Sequence, residues 1–259
     1  MRSSLRASSG RFLPALVAFV LAGLIWQLIA FHTQSIIPPL GSIISALNAN
    51  PHLLFEDGVD TLQESLVGLA AGFVVAFAAA VAMSEVRVLE RALMPLAVVL
   101  NVTPLVAIAP GLGIAFGFGY APKYILTGII VFFPFLVNAS IGLRSVEPEA
   151  LNVLATLRAS RPEILWRLRF PSSLPFLFAA ARVCLPLSIV GAVVAEFTAS
   201  GFSKGLGYLV LVSAQNTQLG LEFAAIFCLA AMGIIYTAAI SLCEHRLLRW
   251  HVSARPARN

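Results

Sequence analysis

Six long apolar runs, separated by short polar segments, dominate the pattern of hydrophobic and polar positions along the chain. They cover residues 12–31, about 61–83, 91–123, 124–143, about 174–199 and about 222–243. A membrane-spanning helix needs about 20 mostly apolar residues, and the runs lack the period-two alternation of β-strands. An open sheet would also leave unpaired edges that lipid cannot satisfy. The pattern therefore predicts an all-α, polytopic membrane protein with about six transmembrane helices.

The third run is too long for one straight helix. It contains Pro95, Pro104 and Pro110, together with glycines at 111, 113, 117 and 119. Because proline removes a backbone donor and clashes with the preceding turn, we expect kinks or a break there, packed inside the protein or lining a cavity. The second run contains small residues that predict close helix packing, namely Gly68, Ala71, Gly72 and Ala76.

Composition excludes a soluble globular fold. The chain is 59% hydrophobic and 11% charged, with a mean hydropathy of +0.91, whereas soluble domains have about 25% charged residues. The net charge of +5 is distributed between the apolar runs, which argues against the single basic patch of a nucleic-acid-binding protein. The three cysteines lack CxxC spacing and the four histidines are scattered, so no disulfide, metal or cofactor is expected.

The placement of Lys and Arg predicts the orientation of the chain. With six spans and a cytoplasmic N-terminus, every basic residue except Lys123 and Lys204 falls on the cytoplasmic side, as the positive-inside rule requires. Residues 1–11 and 244–259 are then cytoplasmic tails around a membrane domain at 12–243. The first run is long for a signal peptide and no small-x-small cleavage site stands out after it, which predicts a retained first helix.

Two loops carry patterned sequence. In the external loop, Pro38 and Pro39 precede apolar residues that indicate a short interfacial helix. In the cytoplasmic loop at about 144–173, residues 149–157 lack Pro and Gly, and Ser160 and Pro162 are typical of the N-cap and first turn of a second helix. Such a helix pair suits docking of a cytoplasmic partner, although an ordinary interfacial loop fits the composition equally well.

This cytoplasmic loop resembles that of ATP-binding cassette (ABC) importer permeases of the binding-protein-dependent class. Their signature is Glu-Ala-Ala, three residues, Gly, nine residues, Ile, one residue and Leu-Pro. The spacing fits at residues 152–154, Arg158, Leu168 and 170–171. The identities depart from the signature, since the chain has Asn-Val-Leu at 152–154 and Arg at position 158.

A wider resemblance, to nitrate/sulfonate/taurine-type permeases, extends from about Trp26 to Trp250. The stretches that match, in order, are IPP at 37–39, TPLVAIAPGLGIAFGFGYAPKYI at 103–125, FFPFLVNASIGLRSVEPE at 132–149, RASRPEILWRLRFPSSLPFLFAAARV at 158–183, GAVVAEF at 191–197, GLGYLV at 205–210 and EHRLLRW at 244–250. The Ala-Ser at 159–160 and the GAVVAE run are most similar to permeases for thiamine-pyrimidine precursors or riboflavin.

The resemblance implies the type I importer permease fold in a bacterial inner membrane. It implies that the chain forms a path for a small polar solute. This solute is either a sulfonate-, nitrate- or taurine-like compound, or a pyrimidine or vitamin precursor. The implied partners are a dimer of ABC ATPase subunits, an extracytoplasmic solute-binding protein and a second permease copy. The sequence has no GxxxxGK[ST] phosphate loop, which agrees with ATP hydrolysis in a partner rather than in this chain.

The resemblance also implies that the cytoplasmic loop couples ATPase movement to the membrane helices. The candidate coupling residues are Glu149, Asn152, Leu154, Thr156, Arg158 and Ser160. Arg158 replaces a glycine that permits a tight turn at positive φ. Two explanations are open: the turn moves to residues 159–160, or Arg158 pairs with an ATPase carboxylate.

Candidate residues of the translocation path are polar groups within the apolar runs, namely Asn101, Thr103, Asn138 and Glu196. Glu196 is the one carboxylate expected to be buried, either in the path or as a partner of a backbone N–H or basic residue. Gln27 and the two asparagines also fit interhelical hydrogen bonds, and Arg182 is expected to extend to the interface.

Two other classes of protein compete with the importer permease. A stand-alone secondary transporter would need membrane-embedded coupling charges and commonly has inverted repeats, but Glu196 alone fits and no repeat is evident. A membrane enzyme would need a clustered acid, base, nucleophile or metal set, and no such constellation is present in the sequence.

Overall fold

The structure, a computed structural model, describes residues 4–33, 36–117, 119–198 and 204–247, and the regular secondary structure within these ranges is helical without any strand. A π-helical turn at Leu165–Arg169 joins the eighth helix to the ninth. The helices in chain order are α1 (Ser4–His32), α2 (Leu40–Ala49), α3 (Pro51–Glu85), α4 (Arg87–Val102), α5 (Leu105–Phe116), α6 (Tyr120–Arg144), α7 (Pro148–Thr156), α8 (Arg161–Ile164), α9 (Phe170–Thr198), α10 (Leu206–Gln215) and α11 (Leu219–Leu247). The predicted all-α fold is confirmed.

Each predicted span corresponds to a helix or a helix pair. In the described part of the chain, four helical segments are long and apolar enough to cross a membrane unaided: α3, α6, α11, and α8 to α9 taken as one helix at Arg161–Thr198. The α4–α5 pair makes a fifth if it is counted as one broken span. In α1 the described apolar part, Leu16–His32, is shorter, at the lower end of the roughly 17–25 residues that a span requires.

The break predicted in the third run lies between α4 and α5, whose axes meet at 101°. Thr103 has extended backbone angles, φ −70° and ψ 129°, because the ring of Pro104 disfavours the helical conformation of the residue before it. Pro95 and Pro110 lie within α4 and α5 and do not interrupt them. The chain therefore turns at one proline out of three.

Helix α6 lies at the centre of the bundle, packed along α3 on one side and α9 on the other. Half of its apolar stretch is buried within the chain, against 22% for α11. The close approach of α3 to α6 depends on Gly68 and Gly72, one turn apart, which face Thr127 and Gly128. Since the backbones meet where side chains are absent, the predicted packing role is confirmed for Gly68, Gly72 and the fully buried Ala76, whereas Ala71 is exposed.

Two short helices lie outside the main bundle. The short helix predicted after Pro38 and Pro39 is α2. Two side chains of α1 bind the backbone at the start of α2: Trp26 Nε1 donates to Pro38 O at 3.1 Å, and Gln27 Oε1 accepts from Leu40 N at 3.1 Å. The other short helix, α10, was not predicted as a separate element. It packs against α9 and α11 and brings its first turn to the end of α9, where the site described below is built.

Candidate functional site

The predicted coupling residues lie on an exposed surface. Helix α7 buries no residue, and Glu149, Asn152, Thr156, Arg158 and Ser160 are exposed while Leu154 is half-buried. We call residues 148–160 the α7 segment. Its large exposed apolar residues are Val153 and Leu157, at 59% and 71% exposure. These two side chains, one helical turn apart, give α7 an apolar patch that is flanked by polar groups.

The turn after α7 is a Schellman motif centred on Arg158. Ala159 N donates to Leu154 O and Arg158 N to Ala155 O, both at 3.0 Å, the hydrogen-bond pattern that ends many helices. Arg158 has φ 54°, in the left-handed region where glycine is favoured. The idea that the turn moves to residues 159–160 is therefore wrong, because the two hydrogen bonds hold it at Arg158. Pairing of Arg158 with an ATPase carboxylate stays a prediction.

The N-cap predicted at Ser160 is confirmed. Glu163 Oε2 accepts hydrogen bonds from Ser160 N at 2.8 Å and from Ser160 Oγ at 2.9 Å, the back-bond of a capping box. Helix α8 begins at Arg161 and continues through the π-helical turn into α9. The predicted loop at 144–173 is therefore shorter than expected, and its second half is the first part of a long helix. Motion of the α7 segment would act directly on α9.

Ion pairs fasten α8 and the π-helical turn, which follow the α7 segment, to the end of α3. Glu85 lies 2.9 Å from Arg169 and 3.7 Å from Arg161. Arg144, at the end of α6, pairs with Glu90 of α4 and donates to Met83 O at 3.1 Å. Exposed ion pairs contribute little stability, but these bring both ends of the α7 segment against the α3–α4 junction.

At the other ends of α3, α6 and α9 lies a second group, which we call the buried polar cluster: Asp57, Thr61, Glu64, Lys123 and Glu196. The side chains of Glu64 and Lys123 are fully buried and joined by a 2.7 Å ion pair, and Glu196 is 1% exposed. Thr61 Oγ1 donates to Glu196 Oε1 at 2.7 Å. Three helices are thus joined by charges that lipid cannot solvate.

The buried polar cluster also holds the first turn of α10. Leu206 N donates to Thr61 Oγ1 at 2.8 Å, Gly207 N to Glu196 Oε2, and Gly205 N to Asp57 Oδ1 at 3.2 Å. These amides are among those at a helix start that have no partner within the helix. Gly205 has φ 110°, and a Cβ there would collide with the Glu196 carboxyl. A glycine is required where the backbone passes so close to the carboxyl group.

The four predicted path residues are not brought together. Asn101 is exposed near the end of α4, and Thr103, at the α4–α5 break, donates to Val99 O at 2.7 Å. Asn138 donates to Pro134 O at 2.8 Å within α6. Glu196 accepts a hydrogen bond from the backbone N–H of Gly207. A backbone N–H was one of the partners predicted for Glu196 in a structural role. The role of all four in a path stays a prediction.

A cavity of about 220 Å³ lies between α5, α6 and α9. Its lining is mostly small or apolar, including Pro110, Gly113 and Gly117, with Lys123 and Thr198 as its polar contributors. Helix α5, the second half of the broken α4–α5 pair, forms one wall of the cavity. Lys123 is the member of the buried polar cluster that lines the cavity.

Sequence reasoning identified Glu196 but missed the other four members of the buried polar cluster. Lys123 was assigned to an external connection but is fully buried, and Glu196 is not the one buried carboxylate, because Glu64 and Asp57 are buried as well. A signal was present: Asp57, Thr61 and Glu64 follow each other at helical spacing, which marks one polar face of α3. Arg182 pairs with Glu244 of α11 while half of its side chain stays exposed.

Comparison with known proteins agrees with this architecture. Residues 68–253 match the family described as binding-protein-dependent transport system inner membrane component. The chain is 31% identical over 242 residues to a probable ABC transporter permease protein of Haemophilus influenzae, covering 92% of this chain and 97% of the relative. It is 30% identical over 235 residues to the formylaminopyrimidine transport permease protein ThiX of Halalkalibacterium halodurans, covering 90% and 93%.

The fold has a counterpart among solved structures. A chain of the MetNI methionine ABC transporter, in an inward-facing conformation, superimposes with a TM-score of 0.62 at 16% identity, covering 76% of this chain and 95% of that one. The family match spans most of this chain, and the long alignments to curated permeases agree with it. The chain therefore belongs to the family of binding-protein-dependent transport system inner membrane components.

Proposed function

We propose that this chain, a multi-pass permease subunit of an ABC importer, receives the movement of an ATPase subunit through its α7 segment. The observation that carries the proposal is the exposed apolar pair Val153 and Leu157. Exposed apolar groups surrounded by polar ones mark protein interaction sites when they lie outside the lipid. A groove on the ATPase that takes up these side chains would carry the α7 segment with it.

The contacts of the α7 segment support transmission to the membrane helices. At its C-terminal end α8 and α9 follow without a loop, and at its N-terminal end Arg144 joins α6 to α4. Glu85 adds α3 through its ion pairs with Arg161 and Arg169. A displacement at the surface would therefore reach three helices of the bundle, as rigid-body rocking requires.

We further propose a nitrogen heterocycle, of the pyrimidine or flavin-precursor class, as the solute. The permeases named for formylaminopyrimidine and riboflavin transport are 30% and 31% identical to this chain over 90% and 78% of it. The taurine permease of Escherichia coli is 25% identical over 74%. A binding protein would deliver the solute at the end opposite to α7, where α2 and the α10–α11 turn border an open recess of about 530 Å³. A second copy of this chain would complete the path.

The test of ATPase docking is the substitution Leu157→Asp, with Leu247→Asp as the matched control. The two leucines are 71% and 60% exposed, and both are predicted to lie on the cytoplasmic side. Leu157→Asp places a charge in the proposed interface and should abolish co-purification with the ATPase subunit of the same host. Leu247→Asp makes the same chemical change outside that interface and should leave co-purification intact.

Two results would oppose the proposal. Retention of the ATPase by Leu157→Asp, and by an alanine block over residues 152–157, would exclude α7 as the docking element. Loss of the ATPase from both leucine variants, with each protein still monodisperse, would show that charge near the membrane rather than α7 controls assembly. The solute proposal is tested separately, by competition of a pyrimidine and of taurine for uptake into proteoliposomes that contain the whole importer.

A further inference from the structure

The buried polar cluster contains a pair of carboxyl groups that compete for one cation. Glu64 and Glu196 are 0% and 1% exposed and their carboxyl groups lie within hydrogen-bonding reach of each other. Lys123 is the one cation buried in the part of the chain that the structure describes. Residues 118 and 199–203, which lie outside the described ranges, carry no formal charge. With both carboxyl groups ionised, the three residues would carry one uncompensated negative charge away from water.

The hydrogen-bond donors around the carboxyl pair are distributed unevenly. Glu196 receives two of them, Thr61 Oγ1 on Oε1 and Gly207 N on Oε2. Glu64 receives Lys123 Nζ on Oε1 at 2.7 Å, while its buried Oε2 has no hydrogen-bond donor within the described part of the chain. A buried carboxylate oxygen without a donor is costly. The donors therefore favour the ionised form of Glu196. Glu64 Oε2 is left as the carboxyl oxygen without a donor, which favours the protonated form of Glu64.

We propose that Glu64 and Glu196 form a binding site for one proton. The proton is bound to Glu64 Oε2 and makes a hydrogen bond to the Glu196 carboxylate. Glu64 is then a neutral acid that accepts from Lys123 and donates to Glu196, so every carboxyl oxygen of the pair has a partner. The charges of Lys123 and Glu196 cancel, which removes the penalty for a buried net charge. The proton thereby joins α3 to α9 at the end of the bundle that holds α10.

Other titratable groups around the site do not supply this charge balance. Asp57, itself an acid, accepts from Gly205 N at 3.2 Å and brings no positive charge to the carboxyl pair. Asp60 accepts from the Tyr120 hydroxyl at 2.7 Å, and Glu56 is exposed to water. Tyr124 accepts from Gln63 Nε2 at 2.7 Å. A proton on the carboxyl pair remains the simplest source of the missing positive charge.

Infrared spectroscopy of the purified protein at neutral pH tests the site directly, because a protonated carboxyl group has a carbonyl stretch distinct from that of a carboxylate. The proposal expects such a band in the wild type, shifted in D₂O, lost in Glu64→Gln and kept in Glu56→Gln, which changes an exposed acid on the same helix. Absence of the band from the wild type, or its persistence in Glu64→Gln, would overturn the proposal.

Thermal unfolding supplies a second, independent readout. Glu64→Gln keeps an acceptor for Lys123 and an N–H donor for Glu196, so its melting temperature should stay within about 2 °C of the wild type. Glu64→Ala removes both and should lower the melting temperature by roughly 6–20 °C, because it breaks a buried ionic network. If Glu64→Gln lowered the melting temperature as much as Glu64→Ala does, Glu64 would have to carry a negative charge, and the proposal would be wrong.

Discussion

The close contact between α3 and α6 yields the sharpest stability prediction. At Gly72 an added Cβ would lie 2.6 Å from the carbonyl oxygen of Gly128 and 2.5 Å from Val131 Cγ2. The Val131 side chain has some freedom to move, but the backbone of Gly128 does not unless the two helices separate. The substitution Gly72→Ala therefore forces apart the pair of helices that forms the centre of the bundle.

The magnitude follows from comparison with a glycine that has room. A Cβ on Gly233, in the interior of α11, would meet nothing within 4 Å, so Gly233→Ala gains about 1 kcal/mol of helix propensity without a clash. Gly72→Ala gains the same amount but adds an overpacking cost of about 1–3 kcal/mol. The two variants should differ by that cost, which corresponds to roughly 2–12 °C in melting temperature for a chain of this length.

The assay is thermal unfolding of both purified variants in the same detergent, followed by loss of a monodisperse elution peak. We expect the order Gly233→Ala, wild type, Gly72→Ala from most to least stable. Equal stability of the two alanine variants would refute the reasoning, because it would mean that α3 and α6 are not in backbone contact at this position.

Three further predictions concern single contacts. Arg158→Gly should slow hydrogen exchange of the Ala159 amide about fivefold, since relief of the left-handed conformation is worth about 1 kcal/mol, and Arg158→Val should accelerate it. Ser65→Ala should cost more stability, about 1–3 kcal/mol, than Tyr236→Phe, about 0.6 kcal/mol, because Ser65→Ala leaves the buried Tyr236 hydroxyl without its 2.6 Å partner, whereas Tyr236→Phe leaves Ser65 Oγ its 2.9 Å hydrogen bond to Leu62 O; thermal unfolding measures both. Glu85→Gln should lower the melting temperature by less than about 4 °C, since partly exposed ion pairs contribute at most about 1 kcal/mol, and a larger fall would show that these ion pairs are integral to the fold.

The spans were predictable because lipid imposes a strong local constraint on composition. An apolar run of about 20 residues predicts a membrane-spanning helix whatever surrounds it. The break at Pro104 follows from the backbone geometry of the one residue that precedes this proline. The start of α9 was harder to predict from the sequence. The loop was predicted to extend to about residue 173, yet Pro171 and Pro175 lie in the first part of α9, where proline is tolerated or where neighbouring helices accommodate the missing hydrogen bond.

The buried polar cluster was not predictable as a whole because it depends on contacts between distant residues. Lys123 and Glu64 are 59 positions apart, and Thr61 and Glu196 are 135 positions apart. Polarity alone placed Lys123 outside the membrane, whereas the structure pairs it inside the bundle. The Arg158 turn shows the opposite case, in which a local rule against positive φ was outweighed by two backbone hydrogen bonds.

We expect this chain to move its solute only as part of an ATP-driven assembly. This is tested by uptake of labelled solute into proteoliposomes that hold the chain with its ATPase and binding protein, compared with proteoliposomes that hold the chain alone. Uptake should require both partners and hydrolysable ATP, and the chain alone should give none under an ion gradient. Uptake by the chain alone, driven by a proton or sodium gradient and indifferent to ATP, would contradict it.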